Sequence, residues 1–201
     1  MAKLSGFRKD IAYHLTQPAV RLLARTSITP NAITCFGFLL AVGAVALIIT
    51  GHLFAAGFIV LVASFFDMLD GALARYTKQT TPFGAILDST LDRLSETALL
   101  LGILILYARE QLFAPLLLVC AAMIGSLLVS YIRAKAESLG VECQVGLFTR
   151  AERIVVLALG LLLYRIDNAL IIALAIIAVL SFITIGQRLF YVKRRISSGS
   201  L

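Results

Sequence analysis

Four aspartates stand in a set pattern inside a chain that is otherwise strongly apolar. The stretch reads Asp67-x-x-Asp70-Gly71-x-x-Ala74-Arg75, then eight residues, then Gly84-x-x-x-Asp88-x-x-x-Asp92. Asp67 and Asp70 are three residues apart and Asp88 and Asp92 four, so each pair shares one helical face. Two antiparallel neighbours would bring all four carboxylates together. Desolvation and mutual repulsion oppose such a cluster. An unpaired charge at membrane depth costs at least ~2.5–3.5 kcal/mol, an expense that packing does not explain and a bound cation does. Oxygen-only ligands favour magnesium, calcium or manganese over zinc or copper. Magnesium also commonly joins carboxylates to substrate phosphates.

The residues between the acids fit a phosphate. Gly71 and Gly84 have no side chain, so a phosphate or nucleotide can approach the backbone closely. Ala74 is small, and Arg75 offers a planar fork that matches phosphate geometry. Together these parts point to a metal-bridged diphosphate. Helix-packing glycines and surface acids would account for one pair of aspartates but not for the whole constellation. Membrane carboxylates also mark ion paths, so a divalent-cation transporter is the competing reading from a different class. Arg75 opposes it, because a positive fork hinders a cation path and helps beside a diphosphate.

The elements that must carry these residues are membrane helices. The chain of 201 residues is 60% hydrophobic, with a mean hydropathy of +0.97. Several apolar runs approach the ~20 residues needed to cross a bilayer, and they lack the alternation of an outer-membrane barrel. The expected fold is an all-α integral membrane protein with six transmembrane helices: Asn31–Thr50, Leu53–Leu73, Phe83–Tyr107, Phe113–Ala136, Arg150–Tyr164 and Ala169–Tyr191. The fifth is short for a full crossing. No signal peptide is expected, because residues before Thr26 lack a continuous apolar core. Instead Leu4, Phe7, Ile11, Leu15, Ala19 and Leu22 recur at helical spacing among Arg8, Lys9, Arg21 and Arg25, which predicts an N-terminal amphipathic interfacial helix. The expected organisation is that juxtamembrane helix over 1–26, a six-helix membrane domain over 27–195, and a short C-terminal tail over 196–201. No internal inverted repeat is visible.

Charge placement orients the chain. Basic residues gather before the first span, after the second (Arg75, Lys78), around the loop after the fourth (Arg133, Lys135, Arg150, Arg153), and at the C-terminus (Arg188, Lys193, Arg194, Arg195). The opposite loops carry Arg109 and Arg165. The positive-inside rule then puts both termini and the aspartates on the cytoplasmic side of the cell membrane. The net charge of +7 also suits anionic lipid. Nucleic acid is not an expected partner, because the charge is dispersed among membrane loops.

The Asp-rich stretch resembles the motif of the CDP-alcohol phosphotransferases, D-x-x-D-G-x-x-A-R, about eight residues, G-x-x-x-D-x-x-x-D; every fixed position is present. The resemblance implies that Asp67, Asp70 and Asp88 bind two divalent ions, Mg2+ or Mn2+. It implies that Asp92 is the base and also touches a metal. It implies that Gly71, Ala74 and Arg75 contact the CDP part of the donor, with Thr81, Gly84 and the Pro30-Asn31 turn in the same pocket. From the residues alone, Asn31 is either an ordinary helix-terminal polar group or a group that faces the site. The implied reaction transfers a phosphatidyl group, or its ether-lipid equivalent, from CDP-diacylglycerol or an ether-lipid analogue to an alcohol, with release of CMP. A homodimer is implied by the resemblance alone.

The second half bears on the acceptor. Arg133, Arg153 and Arg188 lie toward the cytoplasmic ends of three spans and would converge on a second anion. This half resembles the phosphatidylinositol-phosphate synthases of actinobacteria, with Ser130-Tyr131-Ile132-Arg133-Ala134-Lys135-Ala136-Glu137, Arg150-Ala151-Glu152-Arg153 and Gln187-Arg188-Leu189 at the matching stretches. That resemblance implies inositol phosphate as acceptor and Arg133, Arg153 and Arg188 as its phosphate-binding residues. Arg133 stands where a lysine is usual, and Ala151 where a proline is usual. The alternative is glycerol 3-phosphate, as used by a phosphatidylglycerol-phosphate synthase.

The other conspicuous residues read as structural. Lys135, Lys193, Arg194 and Arg195 are headgroup anchors. Gly102, Gly125 and Gly160 permit close helix packing. Cys35, Cys120 and Cys143 have no metal-type spacing and read as small buried hydrophobes. His14 and His52 have no neighbouring ligand set. Glu96, four residues beyond Asp92, extends the acidic stripe either in support of the site or as a hydrogen-bonded buried acid.

Overall fold

Three threonines start three of the helices that carry the site. Thr29 caps α2 (Pro30–Ile49) by accepting from Ala32 N at 3.3 Å, and Thr81 caps α4 (Pro82–Arg109) by accepting from Gly84 N at 3.0 Å. Both are followed by proline, whose fixed φ and missing N–H suit the first helical position. Thr149 begins α6 (Arg150–Leu162) with its N–H donating to Glu152 Oε2 at 2.8 Å, the reciprocal arrangement of a capping box. The intervening helices are α3 (Leu53–Tyr76), α5 (Phe113–Ser138) and α7 (Ala169–Ser197). The computed structural model describes residues 16–143 and 145–197, and a short helix, α1, occupies 16–23. Among the described residues there is no strand.

The six expected spans coincide with α2 to α7 to within a few residues. Four of them, α2, α3, α5 and α7, are long and apolar enough to cross a membrane. α4 has the length but carries Asp88, Asp92, Arg93 and Glu96, while α6 has only 13 residues, about 20 Å at the helical rise. α7 runs past Tyr191 to Ser197, where Arg194 and Arg195 sit favourably in the last turn of the helix dipole. Thus the first two residues assigned to the tail are helical, and 198–201 lie outside the described residues. The expected helix over 1–26 falls partly outside them too, His14 included; its described turns bury Val20 against Ile33, Leu69 and Leu73.

The helices close a ring in the order α2–α3–α6–α7–α5–α4. One end of its interior is apolar, with Ile48, Val60, Leu100, Ile103, Leu161 and Leu174 among the fully buried side chains. Small residues let the short α6 sit close between its neighbours. A Cβ at Gly57 would come within 3.0 Å of Ala158 O, and one at Gly160 within 2.6 Å of Ala173 Cβ. Gly102 and Gly125 make similar close approaches to Val45 and Ser181. Of the cysteines, Cys143 is buried as expected, Cys120 is half-buried, and Cys35 is exposed on the outer face of α2. The correction has a simple reason: in a membrane helix an apolar residue can satisfy itself against lipid rather than protein.

Candidate active site

At the other end of the ring the interior is charged. The N-terminal ends of α2, α4 and α6 meet the C-terminal halves of α3, α5 and α7, so three positive helix ends surround the site. Asp67, Asp70 and Asp88 each place a carboxylate oxygen within 4.8 Å of the others. Asp70 is the most enclosed of the three. One of its oxygens accepts from Thr34 Oγ1 at 2.6 Å, and the other accepts from Gly71 N. These contacts fix how the carboxylate faces its neighbours. An all-oxygen set at this separation could hold a hard divalent cation.

Asp92 stands outside that trio. Its Oδ2 is 2.6 Å from Arg150 Nη1, and the same nitrogen is 2.7 Å from Asp67 Oδ2. Arg150 therefore ties α6 to both acidic helices and balances charge between two of the four aspartates.

Two cavities meet beside the acids. The first, about 190 Å³, is lined by all six residues expected at the CDP-lipid site: Asn31, Gly71, Ala74, Arg75, Thr81 and Gly84. The glycines make room here in different ways. A Cβ at Gly84 would meet Thr81 Oγ1 at 2.9 Å and Asn31 Oδ1 at 3.1 Å; one at Gly71 would lie 3.3 Å from Arg75 Nη1. Asn31, in the first turn of α2, lines this cavity.

The second cavity, about 540 Å³, contains Arg133, Arg153 and Arg188, and also Arg150 and Arg93. Asp88 and Ala85 line both cavities, and Asp92 lines the second. The three expected arginines are held in three different ways. Arg133 is exposed and pairs with Glu137 one turn on, Nε to Oε1 at 2.8 Å. Arg188, 3% exposed, donates through Nε to Val145 O at 2.9 Å and through Nη1 to Val129 O. Arg153, 1% exposed, makes a two-pronged pair with Glu96, Nε to Oε1 at 2.6 Å and Nη2 to Oε2 at 2.9 Å.

Several supporting residues escaped the sequence reading. Arg150 was visible as a neighbour of Arg153 on α6, but nothing in its spacing says that it reaches Asp67 and Asp92. Thr34 was findable, since it lies one turn beyond Pro30 on the helix that carries Asn31. Thr184 and Gln187 hold the loop before α6 by accepting from Phe148 N at 3.2 Å and Leu147 N at 3.1 Å. Thr184 had no local signal, and Gln187 stood out only as part of the Gln187-Arg188-Leu189 stretch.

The fold and the site define a polytopic helical membrane protein with a polar reaction chamber at one end of its bundle. A sequence model described as CDP-alcohol phosphatidyltransferase matches residues 27–185, and the chain belongs to that family of transferases. It is 40% identical over 174 residues to an archaetidylinositol phosphate synthase of Methanothermobacter thermautotrophicus, covering 86% of this chain and 87% of that protein. Among solved structures, it superposes on the phosphatidylinositol phosphate synthase of Mycobacterium tuberculosis with CDP-DAG bound. That match has a TM-score of 0.81 at 34% identity and covers 88% of this chain and 92% of that one. The same synthase in complex with manganese and citrate gives a TM-score of 0.80 at 35% identity, covering 88% of each chain. Family membership sets aside the transporter reading.

Proposed function

We propose that this protein transfers a phosphatidyl group, or its ether-lipid equivalent, from a CDP-linked lipid to inositol phosphate, giving a phosphatidylinositol phosphate and CMP. One observation carries the reading: the cavity lined by the CDP-motif residues and the cavity lined by arginines share Asp88, with Asp92 one turn further along α4. Donor and phosphorylated acceptor thus have adjoining places and an acid between them. The relatives named above are an archaetidylinositol phosphate synthase and a phosphatidylinositol phosphate synthase, which supports the choice of acceptor.

The three clustered carboxylates fit a divalent cation by donor type and separation. Asp67, Asp70 and Asp88 would hold two such ions, Mg2+ or Mn2+, with Asp92 at the edge of the set. When bound, the ions polarise a phosphoryl oxygen and offset the charge of the departing phosphate.

The chain's own residues do the rest. Arg75, Asn31 and Thr81 orient the CDP part, and Gly71, Ala74 and Gly84 let it lie against the backbone. Arg133, Arg153 and Arg188 receive the phosphate of the acceptor. Asp92, anchored through Oδ2 by Arg150, takes the proton from the acceptor hydroxyl. The acceptor oxygen forms its bond to the lipid-linked phosphorus as the bond to CMP breaks. The lipid tails remain in the bilayer.

The membrane arrangement follows the same reading. All six helices α2 to α7 belong to the membrane domain over 27–195, with α4 and α6 completed by their neighbours. The helix over 1–26 lies on the cytoplasmic surface, with 196–201 as a tail. Both termini and the reaction chamber face the cytoplasm, and the protein acts as a homodimer.

The test is CMP release by the purified protein with CDP-diacylglycerol, or its ether analogue, and Mg2+ or Mn2+. Inositol phosphate is compared with glycerol 3-phosphate, serine and free inositol. Release with inositol phosphate alone is the expected result. Release with glycerol 3-phosphate instead reassigns the acceptor and keeps the chemistry. No release with any acceptor overturns the proposal.

A further inference from the structure

We propose that Glu96 is the positioning residue of the acceptor side: its carboxylate takes one edge of the Arg153 guanidinium and so turns the free edge toward the acceptor's phosphate. The inference rests on reading the arginine cavity as the acceptor site.

Glu96 and Arg153 face each other across the ring rather than along a shared helix contact. α4 packs mainly on α2 and α5, and α6 mainly on α3 and α7, yet the two side chains meet in a parallel fork at 2.6 and 2.9 Å. Glu96 is 4% exposed. It sits one turn beyond Asp92 on α4, as Arg153 sits one turn beyond Arg150 on α6. The stripes therefore pair in register, Asp92 with Arg150 and Glu96 with Arg153.

A guanidinium has five N–H donors in a rigid plane. Glu96 uses the Nε edge. Arg153 Nη1 is buried and has no hydrogen-bond partner, and Arg153 lines the arginine cavity. Arg188 is the instructive contrast, because it donates to two backbone carbonyls and braces the loop before α6. Arg188 thus combines bracing with its place in the cavity, and none of its buried donors is left unmet, which spares the cost of an unmet buried donor. Arg153 instead keeps a donor edge in reserve, and a phosphate accepts from such an edge in the two-pronged geometry that arginine favours.

A positioning role and a simple charge role predict opposite signs. Removing the negative charge of Glu96 would, by electrostatics alone, tighten binding of an anionic acceptor. Losing the orientation of Arg153 weakens it. We expect E96Q to raise the KM for inositol phosphate about tenfold, with the KM for CDP-diacylglycerol within about twofold of the unmodified protein. E96D, which keeps the charge but draws the carboxylate back, gives a smaller rise in the same direction. E96Q combined with R153K is no worse than R153K alone, because the two residues act as one unit.

Binding of CDP-diacylglycerol and thermal melting in detergent, measured on every variant, report folding. If E96Q does not fold, E96D alone carries the test. An unchanged or lowered acceptor KM in a folded variant that still uses a phosphorylated alcohol overturns the role of Glu96 and leaves the cavity reading standing. Equal rises in donor and acceptor KM also overturn it, because they indicate general distortion. Turnover of uncharged alcohols only, by the unmodified protein, removes the cavity reading and this inference together.

Discussion

The two sides of the chamber, donor and acceptor in the function proposed here, are built by different means. The donor side comes from one continuous stretch plus the start of α2, and its residues face their cavity directly. Its central features are small residues and helix starts, whose effects are local. The acceptor side collects Arg133, Arg153 and Arg188 from α5, α6 and α7 beside Arg93 and Arg150, and each of those three is held by a different kind of partner: an acid on its own helix, an acid across the ring, or backbone carbonyls. The donor side is thus specified by spacing, the acceptor side by support. A change in spacing should damage the first selectively, and a change in helix position should damage the second.

The largest expected effect falls where the sides meet. D92N removes the proposed base and should lower kcat by about 10²–10⁴-fold while CDP-lipid binding persists, measured by CMP release and by direct binding of the donor. Full activity in that variant would take Asp92 out of the mechanism. D88N alters a residue that lines both cavities and belongs to the carboxylate trio. It should abolish turnover and weaken Mn2+ binding, read by the paramagnetic resonance of the ion in titrations; unaltered Mn2+ affinity would exclude Asp88 as a ligand.

The next pair separates the sides. G84A places a methyl group 2.9 Å from Thr81 Oγ1. Overpacking of this kind costs about 1–3 kcal/mol, so the donor KM should rise about tenfold with the acceptor KM unmoved. G160A forces α6 away from Ala173 and shifts Arg150 and Arg153 with it. It should lower the melting temperature and raise the acceptor KM more than the donor KM. Equal changes in both constants would mean that the two sides are not independently supported. The smallest effect belongs to R133Q. Arg133 is exposed and already paired with Glu137, and exposed ion pairs contribute about 0–1 kcal/mol, so losing its contact with the acceptor's phosphate should move the acceptor KM less than about fivefold. A larger change than that of R153Q would make Arg133, not Arg153, the chief anion contact.

Much of this architecture is legible in the sequence. Long apolar runs broken by Pro30, Pro82 and Thr149 mark α2 to α7 closely, because hydropathy and helix caps act within a few residues. The aspartates and the small residues between them were legible for the same reason: helical periodicity puts them on one face whatever the rest of the protein does. Cys35 was misjudged because sequence cannot distinguish an apolar position facing lipid from one facing protein.

The chain by itself therefore determined the all-helical class of fold, the acidic motif with the small residues that line the cavity beside it, and the three arginines that line the other cavity. Only the tertiary structure decided that α4 and α6 face each other across a ring. The same ring sets Arg150 between Asp67 and Asp92, pairs Glu96 with Arg153, and turns Arg188 toward backbone carbonyls. The reason is physical range. Caps, helical faces and glycine clearances are settled within one or two turns, whereas long charged side chains bridge positions 43 or more residues apart, and which of them meet depends on the order in which the helices close.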